Sequence, residues 1–299
     1  EYLLLRPFVN ANTIPNDHVL RISFVSGTKQ DQNDLEIMMY KLGAQLEFTL
    51  NHPNIIKCYR ACDMFDNSAF LPGTICILPR LGDTLESQLI KGIPLHKAVK
   101  AVAQVADVVS YLQKQSIIHR DLKPTNLMFD NGGNCIVADL DAACILNKEK
   151  LQKPLYDDDF KNRYAFHGYV EGSFGPLGYM CPDQHKGLEN KERRKHDDTF
   201  VLGLLAYEVM TGAIAFNDLQ VITGRHEVWP CYDNAARDQL MAKLKEKTGE
   251  EFSEVIGKAL SVTPEERTDP LDIKKLLYGL SQRLERDYPS YTIKRQERY

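Results

Sequence analysis

The seven cysteines include no CxxC pair, and no apolar run approaches the roughly 20 residues that cross a bilayer. Cys58 and Cys62 form the one close pair, and a structural metal site would need His or Cys partners at a second matching spacing. The thiols therefore read as reduced, mostly buried residues of a soluble, cytoplasmic protein. Residues 1–30 carry no signal-peptide pattern. Charge of one sign is also scarce. Thirty-seven Lys and Arg against 41 Asp and Glu leave a net charge of −4, which gives no reason to expect nucleic acid or an anionic membrane as partner. Two shortages are local: no glycine occurs before Gly27 and no lysine before Lys29. The chain opens on Glu1 rather than methionine, so an upstream segment is expected to have been removed.

What is present describes a folded chain. With 299 residues and 43% hydrophobic content, it can bury about three-quarters of its unfolded surface, enough for two packed lobes. Apolar stretches at 2–9 and 18–25, around the turn-rich 10–17, predict two antiparallel strands. Leu35, Met38, Leu42, Leu46 and Leu50 recur at three- and four-residue steps and predict a helix. A short strand follows at 74–78. Beyond Pro94 helices take over, at 98–112, 199–210, 234–247, 251–260 and 272–280, with a hairpin at 126–137 turning at Asn131-Gly132-Gly133. The nearly uniform apolarity of 199–210 predicts a helix at the centre of a large lobe. No internal repeat is visible. The reading is an α+β chain of two lobes: a strand-rich small lobe through 1–81, a helical large lobe over 82–280, and a charged helix or tail over 281–299.

The segment richest in chemistry is His119-Arg120-Asp121-Leu122-Lys123-Pro124-Thr125-Asn126, followed by Asp139-Leu140-Asp141. It supplies a carboxylate able to accept a hydroxyl proton, a lysine two residues on, and an amide oxygen five residues on. A second carboxylate lies across the hairpin. Phosphoryl transfer needs these parts: a positioned hydroxyl, compensation of charge on the moving phosphate, and metal bridging its oxygens.

On these residues the sequence resembles the eukaryotic-type protein kinases, serine/threonine branch, over nearly its whole length. The resemblance implies a two-lobed kinase-like fold, ATP and Mg²⁺ (or Mn²⁺) as cofactors, and a protein substrate or regulatory protein partner. HRDLKPTN is similar to the catalytic loop, with Asp121 orienting the substrate hydroxyl and Lys123 neutralising the moving phosphate. Asn126, Asp139 and Asp141 are then the metal ligands. Residues 175–183 resemble the segment that closes an activation loop running 139–183. Asp198 matches the aspartate that holds the catalytic-loop backbone at His119 and Arg120. Arg267 matches the arginine that pairs with the acidic end of the activation segment, here Asp183. His52-Pro-Asn-Ile55 fits the link after the regulatory helix. In residues 78–86 Leu78 matches the gatekeeper, and the Pro79 carbonyl and Leu81 amide would bind adenine.

The small lobe departs from the family's pattern. Arg21, in Val19-Leu20-Arg21, stands where a phosphate-binding lysine is usual, and the exchange is not conservative at a packed site. No glycine-rich loop is visible. Either residues 1–9 are the second strand and the loop lies upstream, or the loop is present and degenerate. Gly43 occupies the usual place of the helix glutamate; Glu36 and Glu47 share its stripe, and a register shift would bring Glu47 into the role. In the large lobe Asp141 replaces the glycine of Asp-Phe-Gly, adding a metal ligand or stiffening the turn, and Pro176 replaces a threonine. The activation segment offers Tyr156, Tyr164, Tyr169 and Ser173 beside an acidic run at 157–159. Arg120 could dock a phosphorylated residue from it, and the basic 191–195 reads as an exposed loop. Three functions stay open: an active Ser/Thr protein kinase, a pseudokinase that binds partners or nucleotide, and a small-molecule kinase of the aminoglycoside or choline type, whose metal motif Asp-Leu-Asp also resembles.

Overall fold

The computed structural model describes residues 17–24, 30–64, 73–146, 177–182, 195–223 and 232–296. The expectations for residues 2–9, 157–159 and 191–194, and for Tyr156, Tyr164, Tyr169, Ser173, Pro176 and Asp183, lie outside those residues.

The small lobe is built from β1 (His18–Phe24), α1 (Gln30–Thr49), β2 (Arg60–Met64) and β3 (Gly73–Pro79). Its sheet is antiparallel with β3 in the middle, in the order β1-β3-β2. Cys76 and Leu78, two apart on β3, face one side as strand periodicity requires. Both are buried there with Ala44 of α1, and Val19 of β1 packs against them. Leu42, Leu46 and Leu50 of the predicted stripe are buried instead in the large lobe's core. Helix α1 therefore serves both lobes at once.

The large lobe follows: α2 (Leu85–Lys91), β4 (Ile93–Pro94), α3 (Leu95–Lys114), β5 (Ile117–Ile118), β6 (Leu127–Phe129), β7 (Cys135–Val137) and β8 (Cys144–Ile145). Then come α4 (Asp197–Thr211), α5 (Ala215–Thr223), α6 (Asn234–Thr248), α7 (Glu250–Ala259), α8 (Pro270–Asp287) and β9 (Thr292–Ile293). Helix starts carry their capping chemistry. Thr84 accepts from the Ser87 amide at 3.1 Å, Asp233 from Ala236 at 2.9 Å and Asp269 from Leu271 at 2.7 Å. Every residue of α4 is buried, which accounts for its nearly uniform apolarity. Gly203 lets α4 approach α7, since a Cβ there would lie 2.8 Å from the Leu260 side chain.

The predicted hairpin pairs Leu127 with Val137, and its turn uses Gly133 at a φ of 74°. The expected helix at 272–280 is longer, reaching Asp287, and the described residues beyond it, up to 296, are not a loose tail. Strand β9 pairs antiparallel with β4, Ile293 opposite Ile93, because Ile293 has an apolar site to fill. Cys58, Cys76, Cys135, Cys144 and Cys181 are buried and form no disulfide among the described residues. Among the described residues no helix is long and apolar enough to cross a membrane. The chain thus has the two-lobed α+β architecture expected of it.

Candidate active site

The site lies where the 119–126 loop, the β6–β7 hairpin and the strand β1 meet. Its floor is fixed from α4. Asp198, fully buried, accepts the amides of His119 at 2.7 Å and Arg120 at 3.1 Å through separate carboxylate oxygens. Burial pushes this carboxyl above the usual range, against the pull of His119 and of the two amides. Arg120 has a φ of 66°, a left-handed conformation that only such anchoring maintains. Its side chain is buried and donates through Nε to the Ala142 carbonyl at 2.6 Å, so it grips the loop just past Asp141. The His119 ring lies 3.3 Å from the Ala138 carbonyl.

These anchors present Asp121. Its Oδ2 accepts from Lys123 Nζ at 2.7 Å and from Asn126 Nδ2 at 2.9 Å. Oδ1 has no hydrogen-bond partner among the described residues. Asn126 also donates to the Asp121 carbonyl at 2.9 Å, which commits its amide nitrogen and leaves its oxygen for another ligand. The hairpin brings Asp139 alongside: Ala138 donates to the Asn126 carbonyl at 2.9 Å, and Asp139 turns at a φ of 67°. Hairpin and small lobe are joined through Asn54, which donates to the Cys135 carbonyl and accepts from the Val137 amide, both at 2.8 Å.

On the other wall Arg21 meets Glu47 through two parallel bonds, Nη1 to Oε1 at 2.9 Å and Nη2 to Oε2 at 2.8 Å. Of the two acids left open by helix periodicity, Glu47 holds this place; it is fully buried, not a solvated surface residue. Burial opposes the charge on Arg21, but Glu47 and then Asp141 outweigh it and raise its pKa. Burial raises Glu47, opposed first by Arg21. Asp141 Oδ1 is 3.7 Å from Arg21 Nη2, and burial drives its carboxyl well up, with Asp139 and Glu47 adding repulsion. Glu47 and Asp141 thus share one guanidinium, Asp139 lies near enough to both carboxyls to repel them, and a cation beside this group would relieve that repulsion. Among the described residues no three His, Cys, Asp or Glu side chains converge tightly enough to hold a metal by themselves. A metal here would need oxygens from its ligand as well, which is how Mg²⁺ is commonly held.

Between these walls is an apolar cluster of Ala44, Ile56, Cys58, Cys76, Leu78, Ile136 and Ala138, with Val19, Leu81 and Met128 packed on it. Leu78 is buried within it, and Pro79 and Leu81 continue the chain past it, where the Arg80 amide donates to the Asp17 carbonyl at 2.6 Å. A flat apolar ring suits such walls. Elsewhere, Arg267 lies 3.9 Å from Asp197 and donates to the His196 and Ser261 carbonyls.

Sequence reasoning missed a second charged centre. Arg295 bonds Glu208 of α4 and Glu86 of α2, each at 2.7 Å, and lies 3.4 Å from the Tyr179 hydroxyl. Tyr179 in turn donates to Glu208. Glu208 is the one charged residue inside the apolar run 199–210, and that exception was the available signal: a buried charge needs a partner.

A family model described as "Protein kinase domain" matches residues 26–278. Among curated proteins, the serine/threonine-protein kinase PrkC of Bacillus subtilis is 26% identical over 189 residues, 62% of this chain and 25% of that protein. The serine/threonine-protein kinase ppk34 of Schizosaccharomyces pombe is 24% identical over 208 residues, 67% of this chain and 54% of that one. GIN4 of Saccharomyces cerevisiae, another serine/threonine-protein kinase, is 26% identical over 250 residues, 80% of this chain and 18% of that one. The chain spans from under a fifth to about half of these relatives. A match across most of the chain, on a two-lobed α+β fold, places this protein in the protein kinase family.

Proposed function

We propose that the chain is an active ATP-dependent kinase that phosphorylates serine or threonine hydroxyls of proteins. The observation that carries this reading is the state of Asp121: one oxygen fixed by Lys123 and Asn126, the other without a partner. That oxygen is closed off from solvent in this structure, and substrate binding would have to uncover it for it to accept the substrate hydroxyl. As the new bond from the hydroxyl oxygen to the γ-phosphorus forms and the bond to ADP breaks, the hydroxyl proton passes to Asp121. Lys123, 2.7 Å from the carboxylate, adds positive charge beside the transferring group. Arg21, fixed by Glu47, contacts the remaining phosphates. Leu78, Pro79 and Leu81 border the adenine. Kinases generally use a divalent metal ion. Here the Asn126 oxygen and the Asp139 carboxylate would hold Mg²⁺ or Mn²⁺, which supplies charge compensation on the phosphates.

The specific feature favouring a pseudokinase is Arg21 itself, an arginine already engaged by carboxylates. One experiment separates the two. Transfer from γ-labelled ATP to a generic protein substrate is measured with Mg²⁺ or Mn²⁺ for the parent and Asp121→Asn. The parent is expected to label the substrate, and the variant to be slower by ~10²–10⁴ while binding ATP as before. A parent that binds ATP yet transfers nothing belongs to the pseudokinase reading.

A further inference from the structure

Gly43 and Asp141 share one small space. Gly43 is buried in α1, and a Cβ built on it would lie 1.9 Å from Asp141 Oδ1, 2.8 Å from the Asp141 amide nitrogen and 2.9 Å from its Cα. The clash with Oδ1 could be relieved by rotating a side chain. The clash with the backbone could not. Helix and loop therefore touch main chain to main chain, and position 43 has room for no side chain at all. Asp141 uses the vacancy: its Oδ1 lies within it, closed off from solvent, 3.7 Å from Arg21 Nη2. Among the described residues that oxygen has no hydrogen-bond donor, so its one opposite charge is Arg21.

Arg21 is thus held from two directions. Glu47 reaches it from α1 and takes both terminal nitrogens; Asp141 reaches it from the loop that carries Asp139. Strand β1, helix α1 and the 139–141 loop consequently close on a single guanidinium. We propose that Asp141 is a positioning residue for Arg21, the loop's carboxylate standing where Gly43 offers none, and that it fixes Arg21 relative to Asp139 for nucleotide binding. This assigns Asp141 to Arg21 and not to the metal, and it rests on the kinase reading for what the nucleotide is used for.

The test is a double-mutant cycle on nucleotide affinity, with Asp141→Asn, Arg21→Met and the double variant. Asn keeps the shape of Asp and removes its charge, so folding is spared. ATP affinity is measured by calorimetry at two Mg²⁺ concentrations, together with the melting midpoint. Asp141→Asn is expected to weaken ATP binding about three- to tenfold in the parent and less than about twofold when Arg21 is already Met, equally at both Mg²⁺ concentrations. A merely structural role would lower the midpoint without that dependence on Arg21. An effect that persists in the Arg21→Met background, or grows as Mg²⁺ is lowered, makes Asp141 a metal ligand and overturns the proposal. A parent that binds no nucleotide overturns it too. A parent that binds nucleotide but transfers no phosphate removes the active-kinase reading and leaves this inference standing.

Discussion

At the scale of single residues, the decisive pair is Arg21 and Glu47, two parallel bonds with the acid fully buried. Removing one partner strands the other away from water, which costs far more than the net worth of the intact pair. Glu47→Ala is therefore expected to destabilise the fold by ~3–5 kcal/mol, and Glu47→Gln by less, because the amide still offers one acceptor. Thermal melting of the two variants checks this; an alanine variant that melts with the parent would remove the pair from the fold's support. Arg21 and the loop 119–126 were legible in the sequence, because a strand position and an eight-residue motif are local signals. Glu47 was legible only as one of two acids on a stripe. Helix periodicity fixes a face but not which turn meets the partner strand, and that choice depends on how α1 docks against β3. For Asp141 a sequence shows a carboxylate beside Asp139 but not the space above Gly43 that its side chain occupies.

At the scale of elements, the helices from 98 onward follow from their apolar spacing, and their ends were misjudged where charged residues continue a helix. Helix α8 runs on to Asp287, since Leu277 and Ser281 are buried on one side while Lys, Arg and Glu face outward. Helix α4 offers the sharpest test. Replacing a helical glycine by alanine ordinarily gains about 1 kcal/mol of propensity. At Gly203 the added methyl would meet both Cγ and Cδ2 of the fully buried Leu260 at 2.8 Å, and the Ala259 methyl at 3.3 Å. Overpacking of that kind costs ~1–3 kcal/mol, so Gly203→Ala is expected to lose stability overall. Denaturant unfolding gives the sign directly: a raised midpoint would mean that α4 and α7 have slack between them.

At the scale of the whole molecule, residues from opposite ends of the large lobe converge on Arg295. It joins Glu86 of α2, Glu208 of the central α4 and the Tyr179 hydroxyl. The chain beyond α8 is pinned further by the Arg295 amide on the Leu89 carbonyl and the Gln296 amide on the Gly212 carbonyl, both at 2.8 Å. None of this was readable from residues 281–299, whose charge density describes a solvated tail equally well. Arg295→Met should cost ~3–5 kcal/mol by leaving Glu208 buried without its cation, and adding Glu208→Gln should return most of that loss. Equal stability of single and double variants would show that Glu208 is relieved in some other way. The same centre decides what can happen to Tyr179. Its hydroxyl donates a hydrogen bond to Glu208 and lies against Arg295, and burial with the neighbouring carboxylate drives its ionisation far up. A phenol held in that way offers neither a free lone pair to a phosphate donor nor a phenolate to an electrophile. In a folded preparation exposed to a tyrosine kinase or to iodination, Tyr179 is expected to remain chemically silent.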